Sequence, residues 1–231
     1  MKFFISLFVA AFALQSAPVT ALRFSPDGKH LLISRSRAIE VRALEVKAKP
    51  RIIPCAFDKV MALAFSADGK TFAVAGGTPG DVGGVHLHDW PSGNVRGKWD
   101  VFEDVATCVA FGPFVNFAAG SADHSIVLLD QRRQGWVAKR FEGHTKAVRG
   151  LAYAPGGKML VSVSADRTVK SWKVGTGKLE RTFGNHLGSV NAVAFRPRVA
   201  LAFCATASDD KTVRLWQPSI GRMVRIVRGH G

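Results

Sequence analysis

Only three cysteines occur in 231 residues, Cys55, Cys108 and Cys204. They are too few and too scattered for a disulfide framework or a zinc site, and no Cys-x-x-Cys-His run exists to attach a haem. Cys108 falls at a small position of an apolar strand, which predicts a buried free thiol. No Gly-x-Ser-x-Gly elbow is present to carry a serine nucleophile. No Asn-x-Ser/Thr acceptor exists for glycosylation. Helical periodicity is lacking, so helix-based architectures are disfavoured. Acid is scarce, with 17 Asp and Glu against 32 Lys and Arg, for a net charge of +15.

A hydrophobic run long enough to span a bilayer is also lacking. The longest apolar stretch, Phe3 to Leu14, follows Met1-Lys2 and is too short to cross. A basic n-region, a short apolar h-region and small residues at Ala11-Phe-Ala13 and Gln15-Ser-Ala17 read as a signal peptide over 1–17. The expected location is therefore secreted or periplasmic. If Phe3 to Val9 instead forms an outer strand closing a ring, the expected location is cytoplasmic.

What the chain does contain is a repeat. An aromatic closes the same short apolar strand at Phe24, Phe65, Phe111, Tyr153 and Phe195, at intervals of 41, 46, 42 and 42 residues. A period in the forties indicates a repeat architecture. Alternation along each strand puts small residues on one face (Ala62 with Ala64, Cys108 with Ala110, Ala192 with Ala194) and bulky ones on the other (Leu63 with Phe65, Val109 with Phe111, Val193 with Phe195). A shaved face suits sheets that converge on an axis; Arg23 breaks the pattern, so the first unit is the least regular. Turns such as Ser25-Pro-Asp-Gly-Lys29, Ser66-Ala-Asp-Gly-Lys70 and Ala154-Pro-Gly-Gly-Lys158 follow the strand. Gly112-Pro-Phe114 and Arg196-Pro-Arg198 are weaker versions. Three more strands complete each unit, for example Met159 to Ser164, Thr168 to Trp172 and Leu179 to Phe183. The expected fold class is all-β, a propeller of four-stranded antiparallel blades with five repeats and a ring that need not be complete. Blades are expected at about 18–59, 60–104, 105–144, 145–186 and 187–231.

The fourth unit reads Gly143-His144 … Ser164-Ala-Asp166-Arg-Thr-Val-Lys-Ser-Trp172, and the fifth His186 … Ser208-Asp-Asp210-Lys-Thr-Val-Arg-Leu-Trp216. In these motifs the chain resembles the WD-repeat family of β-propellers over roughly residues 18–231. The resemblance implies that a His, an Asp, a strand-b Ser or Thr and a strand-c Trp lock each blade by hydrogen bonds. It assigns His144, Asp166, Trp172 and either Ser162 or Ser164 to the fourth unit, with Ser164 preferred. In the fifth it assigns His186, Asp210, Trp216 and either Thr206 or Ser208, with Ser208 preferred. Units one to three depart from the pattern: Arg42, His88 and Leu129 stand at the Trp position, and unit three keeps only Asp123. The family usually closes seven blades, and the chain stops at Arg228-Gly-His-Gly231, which resembles the opening of a further unit. Either five blades close alone, or the chain is part of a longer protein, or two copies of an open ring self-associate and complete each other.

The resemblance implies a non-enzymatic scaffold that binds proteins or peptides through its rim, without cofactor or metal. The rim lies where the turns before strand a and between strands b and c emerge, with His124, Lys146, Arg167, Asp209 and Lys211 as candidate contacts. The alternative is a polyanion-binding module for nucleic acid or acidic glycan. Its basis is charge: residues 18–59, 145–186 and 187–231 carry a clear basic excess, whereas 60–104 has three basic against six acidic groups. Three weaker signals complete the inventory. His86 and His88 share a strand face with no third ligand at a characteristic spacing. The loop Gly76-Gly-Thr-Pro-Gly-Asp-Val-Gly-Gly84 has phosphate-loop glycines but no helix behind it. Gly175-Thr-Gly-Lys178 is followed by Leu179 where a P-loop needs Ser or Thr.

Overall fold

The computed structural model describes residues 18–45, 48–113, 116–197 and 202–229. The expected signal segment, parts of the turns at Phe114 and Arg198, and the closing His230-Gly231 lie outside the described residues. Among the described residues there is no helix, and so none long and apolar enough to cross a membrane.

Twenty strands form five antiparallel sheets of four. Blade 1 holds β1 (Leu22–Phe24), β2 (His30–Arg35), β3 (Ala38–Ala43) and β4 (Arg51–Pro54). Blade 2 holds β5 (Lys59–Phe65), β6 (Thr71–Thr78), β7 (Val82–Asp89) and β8 (Val95–Phe102). Blade 3 holds β9 (Ala106–Phe111), β10 (Asn116–Ser121), β11 (Ile126–Arg132) and β12 (Gly135–Phe141). Blade 4 holds β13 (Val148–Tyr153), β14 (Met159–Ser164), β15 (Val169–Lys173) and β16 (Lys178–Phe183). Blade 5 holds β17 (Val190–Phe195), β18 (Cys204–Ser208), β19 (Thr212–Gln217) and β20 (Arg222–Arg228). The strands expected from alternation therefore form, with ends displaced by a residue where the turn chemistry takes over.

Each blade is a simple meander, and the inner strands contact one another in the order β1, β5, β9, β13, β17. The hydrophobic cores lie between blades. Phe72 and Val74 of β6 pack towards blade 1 with Leu32, Ile39 and Ile53, whereas Ala73 and Ala75 of the same strand pack towards blade 3 with Phe117 and Leu129. The alternation thus serves two cores at once. The bulky face of each inner strand meets the preceding blade: Leu63 and Phe65 join the first core, Val109 and Phe111 the second, Leu151 and Tyr153 the third, Val193 and Phe195 the fourth.

That rule explains the exposures at the two ends. Among the described residues blade 1 has no preceding neighbour, and its Leu22 and Phe24 are 58% and 59% exposed. Blade 5 leaves Ile220, Val224 and Val227 exposed on its far side. The ring is not closed. The five aromatics consequently mark four packed junctions and one bare edge.

Alternation fails at two recurring places, one in the inner strands and one where the outer strands β8, β16 and β20 meet β7, β15 and β19. Strands β5, β9, β13 and β17 shift register against their neighbours around Met61, Thr107, Arg149 and Asn191. Each inner-strand shift is a β-bulge at the second residue of the strand (the third in β5), which re-aims that side chain.

Phe117 is fully buried among Trp99, Phe111 and Trp136. Phe117→Ala is expected to cost about 3–5 kcal/mol, whereas Phe24→Ala at the bare edge should change stability by about 0.5 kcal/mol or less. Denaturant midpoints of the two variants check this difference.

Candidate functional site

Blade 4 contains a continuous buried hydrogen-bond chain. Asp166 Oδ2 lies 2.7 Å from His144 Nδ1, His144 Nε2 lies 2.7 Å from Ser162 Oγ, and Trp172 Nε1 donates to Ser162 Oγ at 2.8 Å. A carboxylate only accepts and an indole N–H only donates. A neutral His144 therefore holds its proton on Nδ1, accepts the Ser162 hydroxyl proton at Nε2, and leaves the Ser162 oxygen to receive Trp172. Blade 5 repeats the arrangement with Asp210, His186, Thr206 and Trp216 at 2.7, 2.8 and 2.8 Å.

The hydroxyl in the chain is Ser162 rather than Ser164, and Thr206 rather than Ser208. The preferred serines sit two residues on and hold the neighbouring turn instead. Ser164 Oγ donates to Lys146 O at 2.8 Å and accepts from Asp166 N; Ser208 Oγ donates to Gly188 O at 3.1 Å and accepts from Asp210 N. Register decides the choice, because Leu160 and Cys204 pair with the tryptophans and place Ser162 and Thr206 beside the indole nitrogens.

Burial alone would raise the Asp166 carboxyl. The hydrogen bonds from His144 and then Thr168 outweigh it and hold the group well below the usual carboxylate range. Asp210 is held low in the same way, by Thr212 and then His186 against burial. Both carboxylates also receive a turn N–H, from Thr145 at 3.1 Å and Leu187 at 3.0 Å. Blade 3 keeps this last feature without a histidine: Asp123 accepts from Glu103 N at 2.9 Å and Ser125 Oγ at 2.6 Å, and Arg140 lies 3.7 Å away. In blade 2, fully buried His88 takes the Trp position, stacks on Phe72 with centroids 5.0 Å apart, and lies 3.0 Å from Gly93 O through Nδ1.

The turns that carry these aspartates emerge on one face, together with the turns that link successive blades. His124, Arg167 and Lys211 occupy left-handed conformations there, with φ of 75°, 70° and 63°. Arg37 does the same in blade 1 with φ 57°, a position the sequence reading missed because its turn lacks the Asp motif. Gly80 fills the corresponding turn of blade 2. All four non-glycine residues are exposed, as are Lys146 and Asp209. Asp209 accepts from Asn191 Nδ2 at 2.5 Å. The bulged residues Met61, Thr107, Arg149 and Asn191 stand on the same face nearer the axis. A cleft of about 530 Å³ opens there, lined by Thr20, Arg35, Asp58, Met61, Asp104 and Thr107 among others.

The remaining candidates are structural. His86 and His88 stand 6.3 Å apart by ring centroid, and His86 stacks on Phe57 at 4.1 Å. Among the described residues no group of three His, Cys, Asp or Glu is placed to hold a metal. The glycine-rich loop is mostly the hairpin of β6 and β7, and its glycines allow close backbone approach. A side chain at Gly76 would strike Lys59 O and one at Gly83 would strike Asp104 O. Cys55, Cys108 and Cys204 are buried free thiols, and burial pushes Cys108 up to about 11 and Cys204 to about 12. Part of the positive charge in blades 4 and 5 is internal: Lys170 donates to Thr182 Oγ1 at 2.9 Å, and Arg214 lies 3.6 Å from Asp210.

The family described as "WD domain, G-beta repeat" matches residues 135–173 and 177–217, so those segments are WD repeats. Similar proteins include the nuclear distribution protein PAC1 of Gibberella zeae, 36% identical over 150 residues, which are 61% of this chain and 32% of that protein. The nuclear distribution protein nudF of Aspergillus niger is 32% identical over 147 residues, 62% of this chain and 33% of its own. The chain spans about a third of the length of these relatives. They overturn the expected secreted or periplasmic location, since proteins named for nuclear distribution belong to the interior of a cell.

Ser162→Ala leaves both His144 Nε2 and Trp172 Nε1 without a partner and is expected to cost about 3 kcal/mol. Ser162→Thr, which supplies the hydroxyl that Thr206 provides in blade 5, should retain most of that stability by chemical denaturation. The buried imidazoles of blade 2 set a pH dependence. Burial, reinforced by the Lys98 charge, pushes His86 down from 6.5 to about 4, and burial lowers His88. The unfolded chain takes up these protons at higher pH than the folded one, so stability is full above pH 6.5 and declines as pH falls towards 4. Melting temperatures across this window should fall for the wild type and less steeply for His86→Gln.

Proposed function

We propose that this WD-repeat chain is a non-enzymatic scaffold that docks a protein partner on the face bearing the b–c turns. The observation that carries the reading is the repeated left-handed residue. Arg37, His124, Arg167 and Lys211 each hold a conformation that disfavours residues with a Cβ by about 1–2 kcal/mol. Glycine would relieve that cost, as at Gly80, yet four blades place a long polar side chain there. Strain concentrated at equivalent exposed positions of a rigid frame is a mark of a binding face. The bulged Arg149 and Asn191 extend the same polar surface towards the axis.

The lock residues act behind this face. Asp166 and Asp210 each tie a b–c turn to the blade-linking turn beside it, so the docking side chains stand on an ordered base. The names of the relatives, which are nuclear distribution proteins, support an assembly role over turnover. The reading requires no cofactor and no chemical step.

The test is quantitative affinity capture from native extract with the immobilised chain. Arg167→Glu/Lys211→Glu should lose about tenfold of the retained partner, equivalent to about 1.4 kcal/mol. Lys178→Glu, on the opposite face, should retain it. If the rim variant and the control hold the same proteins in the same amounts as the wild type, the rim is not the docking face.

A further inference from the structure

The face opposite the rim carries a second feature, a cleft of about 460 Å³ between blades 3 and 4. Its apolar floor includes Val137 and Met159, and its edge carries Lys158 and Lys173. The chain leaves this cleft electrostatically incomplete. Arg132, Lys139, Lys158 and Lys173 line it against only Asp130 and Glu180. Asp130 is already held by Arg132 at 3.2 Å, and Lys139 Nζ donates to Gly175 O at 2.6 Å across the cleft. Among the described residues, neither Lys158 nor Lys173 forms an ion pair, and both are exposed.

We propose that this cleft binds an extended acidic peptide segment, with carboxylates set on Lys158 and Lys173 and an apolar side chain over Val137 and Met159. The ligand class follows from the two features together. Unpaired cations call for carboxylates, and the floor calls for an apolar side chain. A peptide of alternating acidic and apolar residues presents both on one extended chain. The site is independent of the rim, and would let one scaffold hold two segments on opposite faces.

The experiment is fluorescence anisotropy with a labelled, acetylated pentapeptide of alternating glutamate and leucine, at low and at physiological salt. Saturable binding is expected, weakened about tenfold or more by Lys158→Glu/Lys173→Glu. It should weaken comparably when glutamine replaces glutamate in the peptide. Melting temperatures of the lysine variant should match the wild type, since both side chains are exposed. The rim variant Arg167→Glu/Lys211→Glu should bind the pentapeptide as the wild type does. The proposal is overturned by absence of saturable binding, by equal affinity for the glutamine peptide, or by equal loss in the rim variant. Displacement by heparin or duplex DNA at equal charge concentration would also overturn it, marking a general cationic surface. Equal displacement by N-acetylglutamate alone would reduce the site to a carboxylate pocket and overturn the peptide assignment.

Discussion

A four-stranded blade cannot bury either of its faces by itself, and everything else in this molecule depends on that constraint. The cores are shared between neighbours: Leu32 and Ile39 with Phe72, Val85 and Phe102 with Phe117, Phe141 and Val148 with Trp172, Val161 and Val169 with Trp216. Stability in such an array approximates a sum of units and interfaces. A blade without a neighbour on one side must leave that side wet. Leu22 and Phe24 at one end, and Val224 and Val227 at the other, show this directly. Their composition is that of interior residues, and their exposure is a matter of position in the array.

The polar chains in blades 4 and 5 are a second level of organisation laid on this packing. Each inserts a Ser or Thr hydroxyl between an imidazole and an indole, so that no buried donor or acceptor is left over. Blade 2 does less: it stacks His88 on Phe72 and satisfies one nitrogen with a carbonyl, but among the described residues His88 Nε2 has no partner. Blade 3 retains only the carboxylate, Asp123, with a turn N–H and Ser125 as donors. What blades 3, 4 and 5 have in common is an aspartate that gathers donors at the b–c turn. That turn faces the proposed partner, so the structural and the functional roles meet in the same residues.

The two faces differ in kind. On the rim face, strained polar residues and bulged side chains are presented outward from ordered turns. On the opposite face, a junction between two blades leaves lysines and a small apolar floor. The first is built by repetition, the second by the particular neighbours of one interface. Together the two proposals give one scaffold two chemically distinct places to hold a chain.

The residues themselves were enough to reveal the period, the strands and the turns, because these follow from local rules of alternation and turn chemistry; His144, Asp166 and Trp172 came as partners only through the resemblance of their motif to the WD-repeat family. Ser162 and Ser164 lie two apart on one strand and share a face, so alternation cannot separate them; the pairing of β14 with β15 does. Arg149 and Asn191 look like ordinary strand residues until the register shifts against the neighbouring strand. Arg37 lacks the motif that marked its counterparts. Phe24 resembles the other four aromatics in sequence and differs from them in exposure. Sequence determined the blades, since each is made from contacts close along the chain. Tertiary structure decided which hydroxyl, which bulged side chain and which apolar face matters, since each depends on a neighbouring strand or blade being present.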